Sequence, residues 1–130
     1  KLLHNDKQLN YLINNLSLKK IIFTNGTYGH AIQCLKKLCV HNFDNIVARD
    51  TIQDYKPNTT AYLKFMHVNN ITNNDKCIFF DDLPENLIES KKFNWITVLI
   101  GPKQYIHEDI DFYFPNIYIA LYYFLNKIHH

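Results

Sequence analysis

Three short segments of the 130-residue sequence place polar residues beside apolar runs in a way that suits chemistry. Thr24-Asn25-Gly26 ends one apolar run, the pair Asp81-Asp82 ends another, and Lys56 stands before Pro57. A threonine hydroxyl and a lysine ammonium can bind a phosphoryl group, the first as a hydrogen-bond donor and the second as a point charge. Adjacent carboxylates repel each other unless a cation neutralises them, and carboxylate oxygens are ligands suited to Mg²⁺.

The elements that must position these residues follow from the hydrophobic periodicity. Apolar runs predict strands at 20–24, 44–48, 77–80 and 95–100, with a short fifth at 112–114. Helical spacing predicts helices at 6–16, 27–39, 59–68, 84–92 and 116–127, with a threonine capping the third of them. Strands that alternate with helices indicate an α/β fold, a Rossmann-like parallel sheet with helices on both faces. In such a sheet ligands bind at the carboxyl ends of the strands, where the three segments lie.

The bulk properties fit one globular domain and exclude several classes of partner. A net charge of +2 with a single arginine, Arg49, argues against binding a nucleic acid polymer. The most apolar run, at 117–125, is about half the ~20 residues that a membrane span needs, so no membrane partner is expected. Cys34, Cys39 and Cys77 form no CxxC pair, which predicts small buried side chains in a reducing, cytoplasmic compartment.

The order of the three segments resembles the motif order of the haloacid dehalogenase superfamily. Its second motif is an apolar strand that ends in Ser or Thr, matched by IIFTN at 21–25. Its third is a lysine near a helix start, matched by KP at 56–57, and its fourth is an apolar strand that ends in an acidic pair, matched by CIFFDD at 77–82. The form DDxxxN, which ends at Asn86, is most similar to the branch that contains pyrimidine 5'-nucleotidases. The resemblance extends over about residues 9–128.

The resemblance implies a phosphatase that acts through an aspartyl-phosphate, on a small phosphorylated metabolite such as a pyrimidine mononucleotide. In that interpretation Thr24 and Lys56 are the catalytic residues of this chain. Thr24 would donate a hydrogen bond to the phosphoryl group, Asn25 and Gly26 would shape the loop that binds it, and Lys56 would neutralise its charge.

The same resemblance implies an Mg²⁺ cofactor. Asp81 would be a metal ligand, directly or through water, and Asp82 is the second candidate. Asn86 would support the site by positioning one of the two acids.

The sequence departs from the superfamily at its first motif, DxDx(T/V), which supplies the aspartate nucleophile. The only DxD is at 109–111, where it follows His107-Glu108 instead of an apolar strand, and it is rejected as catalytic. We therefore expect residues 1–130 to be the C-terminal part of a single core domain, with residues 1–18 leading from a cap into that core. The strand of the first motif, central in the superfamily's sheet, would be missing, which would leave two interior edges unpaired.

Two alternatives come from other functional classes. The first is a catalytically inactive relative, or a truncated one, that keeps the fold as a binding or regulatory module. The second is a phosphorelay receiver domain, which also combines an acid pair, a threonine and a lysine. The order of the motifs argues against a receiver, because its acid pair precedes the threonine and the lysine.

Overall fold

The computed structural model describes residues 6–128, which form six α-helices and five strands. The elements in chain order are α1 (Lys7–Asn15), β1 (Ile21–Phe23), α2 (Tyr28–Leu38), β2 (Asn45–Val47), α3 (Arg49–Ile52), α4 (Thr59–Val68), β3 (Ile78–Asp81), α5 (Pro84–Ser90), β4 (Ile96–Ile100), β5 (Phe112–Phe114) and α6 (Ile117–Ile128). A single 3₁₀ turn at Lys91–Phe93 follows α5. The predicted α/β fold class, with parallel strands and flanking helices, is confirmed.

The described strands form two separate parallel sheets. β1 pairs with β2, with Ile22 opposite Ile46. β3, β4 and β5 form the second sheet in that order, with Phe80 opposite Val98 and Val98 opposite Phe112. Within residues 6–128, β1 and β3 therefore each hydrogen-bond to one neighbouring strand only.

Alternate side chains of the second sheet enter two cores, which explains the continuous apolar runs in the sequence. Phe79 and Leu99 point into a core with Tyr62 and Leu87, formed with α4 and α5. Val98 points the other way, into a core formed with α6. The sheet is thus covered on both faces, as the sequence predicts.

The first of these cores joins the two sheets through aromatic rings. Phe23 of β1 stacks on Phe65 at a centroid distance of 4.5 Å and lies 6.1 Å from Phe79 of β3. Trp95, only 2% exposed, makes an edge contact with Phe79 at 5.4 Å. Aromatic side chains bury a large apolar area, so the contact between Phe23 and Phe79 holds β1 close to β3.

The first helix is capped at its start by Asp6. Asp6 accepts a hydrogen bond from the Leu9 N–H at 2.9 Å as the N-cap of α1, and its other oxygen accepts one from the Tyr118 hydroxyl of α6. Leu12 and Leu121, both 3% exposed, belong to a third core that packs α1 against α6. Residues 1–5 of the predicted leading segment lie outside the described residues.

Two expectations on local structure are corrected, and one element is additional. The additional element is the short helix α3, at the start of the polar segment 49–58. The N-cap of α4 is Asn58 instead of a threonine, and the Thr60 hydroxyl bonds to Asp54 at 2.6 Å. The three cysteines are free thiols and partly exposed, not fully buried. In the part of the chain that the structure describes, no helix is long and apolar enough to cross a membrane.

Candidate functional site

The three segments singled out in the sequence meet at one cavity of about 410 Å³. It lies at the carboxyl ends of β1 and β3, where the topology of parallel strands places a ligand. Its polar lining comprises Thr24, Asn25, Lys56, Asp81, Asp82 and Asn86. Gly26 is the one predicted site residue that does not line the cavity, and it lies behind Thr24.

Lys56 connects the two sheets at this edge. Its Nζ donates to the Phe23 carbonyl oxygen at 2.7 Å and to Asp81 Oδ2 at 2.8 Å, and it lies over the Phe79 ring at 5.2 Å. The side chains of Lys56 and Asp81 are 6% and 5% exposed. An ammonium has three N–H donors, so one remains for a ligand in the cavity.

The loop after β1 holds Lys56 through its backbone. The Asn25 side chain accepts a hydrogen bond from the Lys56 N–H at 2.8 Å and donates one to the Lys56 carbonyl oxygen at 3.0 Å. The peptide bond between Lys56 and Pro57 is cis. Because both ends of the Asn25 amide are used, its side chain positions Lys56 instead of facing a ligand.

Thr24 presents a hydroxyl whose proton is free to donate. Thr24 Oγ1 accepts a hydrogen bond from the Gly26 N–H at 2.9 Å, and the Thr24 N–H donates to the Val47 carbonyl oxygen at 2.9 Å. A Cβ at Gly26 would lie 3.3 Å from Thr24 Oγ1, so a side chain there would crowd the hydroxyl. A residue larger than glycine would fit only if the Thr24 hydroxyl moved by a few tenths of an ångström.

Asp81 is held on both carboxylate oxygens. Oδ2 accepts from Lys56, and Oδ1 accepts from the Leu83 N–H at 2.9 Å. The Asn86 Nδ2 lies 3.3 Å from each oxygen. Asn86 therefore contacts Asp81, which is the supporting position that the sequence predicts for it.

Asp82 and Asn86 are the residues of the cavity lining whose surroundings favour a cation. Partial burial, together with a hydrogen bond and like-charge repulsion from Asp81, raises the pKa of Asp82. Asn86 is 2% exposed, and its Oδ1 is buried without a hydrogen-bond partner among the described residues. A buried orphan acceptor and a carboxylate beside a second carboxylate both favour a nearby cation or donor.

These oxygens fit an Mg²⁺ ion in kind but do not complete its coordination. Carboxylate and amide oxygens are the hard donors that Mg²⁺ prefers, usually with several waters retained. Among residues 6–128 no group of three or more His, Cys, Asp or Glu side chains is placed to hold a metal. Asp81, Asp82 and Asn86 would therefore supply part of a ligand set, with the remainder from water, a substrate or another segment.

Tyr62 is a site-supporting residue that the sequence reasoning missed. Its hydroxyl donates to the Asn86 carbonyl oxygen at 2.5 Å from beneath the cavity, and the residue is 0% exposed. Burial, and then the charges of Asp81 and Glu89, raise the pKa of Tyr62. In sequence it is one aromatic residue on a helix face, so no local signal distinguishes it.

The fold and the site together define a class of protein. Residues 4–100 match the family model described as haloacid dehalogenase-like hydrolase. Because the match covers more than half of the chain, the protein belongs to the haloacid dehalogenase-like hydrolases.

Two solved structures show the same fold. One is a dehalogenase in an intermediate complex, with a TM-score of 0.72 and 20% identity over 91% of this chain and 53% of that one. The other is an L-2-haloacid dehalogenase, with a TM-score of 0.72 and 14% identity over 92% of this chain and 54% of that one. The chain thus spans about half the length of the structures it matches. At these identities the likeness shows the fold alone.

Proposed function

We propose that the complete protein is an Mg²⁺-dependent phosphatase of the haloacid dehalogenase type, with nucleoside monophosphates as its substrates. The observation that carries the proposal is the position of Lys56, which joins the carboxyl end of β1 to Asp81 at the end of β3. The Thr24 hydroxyl lines the same cavity. A buried cation, a hydroxyl donor and an acidic pair around one cavity suit a phosphoryl group and its metal.

In this proposal Lys56 and Thr24 bind the phosphoryl oxygens. The remaining N–H of Lys56 and the Thr24 hydroxyl are both available to donate, and charge-assisted hydrogen bonds to phosphate are among the stronger ones in proteins. The Asn25 amide keeps the Lys56 backbone in place through two hydrogen bonds. Because Lys56 is already held in place, less conformational entropy is lost when a substrate binds.

Asp81, Asp82 and the Asn86 amide oxygen would hold the Mg²⁺ ion. A bound Mg²⁺ would neutralise charge on the phosphoryl oxygens. The Asn86 Oδ1, unpartnered in residues 6–128, would become satisfied by the ion or by one of its waters. Asp81 would bind the ion while it also accepts a hydrogen bond from Lys56, and Asp82 is the more accessible of the two carboxylates.

The nucleophile in this proposal comes from a segment outside these 130 residues. The proposed segment is an apolar strand with DxDx(T/V) at its end, placed between β1 and β3. Those two strands each have one hydrogen-bonded neighbour in the described part of the chain. The carboxylate attacks phosphorus, the ester oxygen leaves with a proton, and water hydrolyses the resulting aspartyl-phosphate.

The test is Asp81→Asn in the complete protein, assayed for phosphate release from nucleoside monophosphates with and without Mg²⁺. Activity should fall at least about 100-fold, as expected for removal of an electrostatic group at the site. Asp111→Asn is the matched control, because Asp111 also pairs with a lysine but lies outside the cavity lining. Unchanged Mg²⁺-dependent activity in Asp81→Asn contradicts the assignment.

A second assay distinguishes the other functions. The solved relatives are dehalogenases, so halide release from a 2-haloacid should be measured on the same protein. Halide release without phosphate release would mean that the protein is a dehalogenase and that the phosphatase proposal is wrong. If neither product forms, and the upstream segment lacks the nucleophile, the protein is an inactive binding module.

A further inference from the structure

We propose that Arg49 is a second phosphoryl-binding residue, which approaches the substrate from the solvent side opposite Lys56. This inference rests on the proposed phosphatase function. Arg49 is the only arginine of the chain and the first residue of α3. It follows the carboxyl end of β2, at the same edge of the sheets as Thr24.

The backbone of Arg49 is attached to the loop that carries Thr24. The Arg49 N–H donates to the Gly26 carbonyl oxygen at 3.1 Å, and the Gly26 N–H donates to Thr24 Oγ1 at 2.9 Å. Two hydrogen bonds therefore connect the start of α3 to the Thr24 hydroxyl. A long arginine side chain that starts there can reach a phosphoryl group held at Thr24.

The guanidinium is exposed and has no hydrogen-bond or ion-pair partner among residues 6–128. The neighbouring carboxylate, Asp50, forms no ion pair with it in the described residues, and Asp50 Oδ1 accepts from the Tyr28 N–H at 2.9 Å. A planar guanidinium with two parallel donors matches the geometry of phosphate oxygens. The side chain is thus free to bind a substrate group that arrives from solvent.

The formal charges at the site favour one further cation. With Mg²⁺ bound, the formal charges of the ion, Lys56, Asp81, Asp82 and the proposed nucleophilic carboxylate sum to zero. A phosphoryl group carries about two negative charges at neutral pH. Lys56, at 7% exposed, approaches from the interior, and Arg49 would supply the missing charge from the rim.

The experiment compares Arg49→Ala, Arg49→Lys and Lys37→Ala in the complete protein with Mg²⁺. Lys37 is the matched control, because it is an exposed cation in the last turn of α2, away from the cavity. The dissociation constant of inorganic phosphate is measured by calorimetry, beside KM and kcat for a nucleoside monophosphate. Arg49→Ala should raise the phosphate dissociation constant and KM about tenfold, the loss expected for a charge-assisted hydrogen bond. Arg49→Lys should recover part of the affinity, and Lys37→Ala should change neither value.

The outcomes separate this inference from the proposed function. An unchanged phosphate dissociation constant in Arg49→Ala overturns the inference about Arg49. Hydrolysis of nucleotides by the wild-type protein would still support the proposed phosphatase function. A higher KM with unchanged phosphate binding also overturns it, since Arg49 would then contact the leaving group. A wild-type protein that neither binds phosphate nor hydrolyses nucleotides removes both proposals. Thermal unfolding of the variants shows whether the fold is kept, as expected for an exposed side chain.

Discussion

Two lysine–aspartate pairs connect distant segments of this protein, and their surroundings differ. Lys56–Asp81 joins the two sheets and is nearly excluded from solvent, with side chains 6% and 5% exposed. Lys91–Asp111 joins the turn after α5 to the start of β5, with side chains 26% and 32% exposed. Both pairs consist of the same residue types, so the difference must come from what surrounds them.

The Lys91–Asp111 cluster is closed by its own hydrogen bonds. Asp111 Oδ2 accepts from the Thr97 N–H at 2.9 Å, and the Asp111 N–H donates to Thr97 Oγ1 at 2.9 Å. The Thr97 hydroxyl donates to the Asp109 carbonyl oxygen at 2.6 Å, and Lys91 also donates to the Trp95 carbonyl oxygen at 2.8 Å. These bonds link the Asp111 carboxylate, the Thr97 hydroxyl and the Lys91 ammonium to one another and to the nearby backbone, which is typical of a structural tie.

The Lys56–Asp81 cluster is left incomplete. Asn86 Oδ1 is buried without a partner among residues 6–128, and the adjacent Asp82 has a raised pKa. Lys56 and Thr24 also line the cavity. Buried polar groups that lack partners cost stability, so their presence indicates a site that a ligand completes.

The largest expected difference between the clusters is in the effect of removing the lysine. Lys56→Met leaves Asp81 charged, buried and unpaired, and should lower the free energy of unfolding by about 3–5 kcal/mol. Lys91→Met should cost about 1 kcal/mol or less, because its pair is partly solvated. Urea unfolding of the complete protein measures both values.

The double variant Lys56→Met with Asp81→Asn is the control for this comparison. It removes the unpaired charge and should be more stable than Lys56→Met alone. Equal losses for Lys56→Met and Lys91→Met would show that burial does not distinguish the two pairs.

The next difference concerns the polar residue beside each pair. Thr97→Val leaves the Asp109 carbonyl oxygen without its hydroxyl partner and removes one of the two acceptors of the Asp111 N–H, and should cost about 1–3 kcal/mol. Asn86→Leu removes an acceptor that is already unsatisfied, but also the Nδ2 donor that lies 3.3 Å from both Asp81 oxygens, and without Mg²⁺ it should cost a similar amount. The two variants should differ in activity: Asn86→Leu should lose phosphate release, and Thr97→Val should keep it. Phosphate release that is kept equally in both variants would contradict the comparison.

The smallest expected effect is a pH dependence of the closed cluster. Burial alone would raise the pKa of Asp111, but hydrogen bonds from Lys91 and Thr97 outweigh it and lower the pKa below its ordinary value of 3.8. The stabilisation from the ionised carboxylate is therefore present above about pH 4 and is lost as the pH falls through the lowered pKa. Asp111→Asn should destabilise by under about 1 kcal/mol at pH 7 and by less at pH 3. Urea unfolding at both pH values measures this, and a stability difference that does not change with pH would refute it.

The sequence predicted most of the fold because the apolar patterns are strong. The strand at 77–80 and the helix at 84–92 appear with small shifts, as β3 and α5 with its 3₁₀ turn. α3 was missed because four residues are too few to show a helical period. The cap of α4 was assigned to a threonine because Thr59 and Asn58 are adjacent and both suit an N-cap.

The sequence predicted which residues would form the site but not the hydrogen bonds that connect them. Thr24, Lys56 and Asp81 were expected at one edge of the sheet, and they line one cavity. Asn25 was expected to shape the loop that binds the phosphoryl group, and its side chain holds the Lys56 backbone through two hydrogen bonds. Tyr62 was not identified at all, because its contact with Asn86 joins residues 24 positions apart.

The sequence by itself determined the class of fold, the family and the residue types at the carboxyl ends of the strands. These are local properties, since an apolar run and the polar residues that end it are adjacent in the chain. Only the tertiary structure decided which of the two lysine–aspartate pairs is buried and which polar atoms lack partners. Burial and hydrogen-bond satisfaction depend on segments distant in sequence, and here they distinguish a buried cluster that has an unpartnered acceptor from a more exposed one.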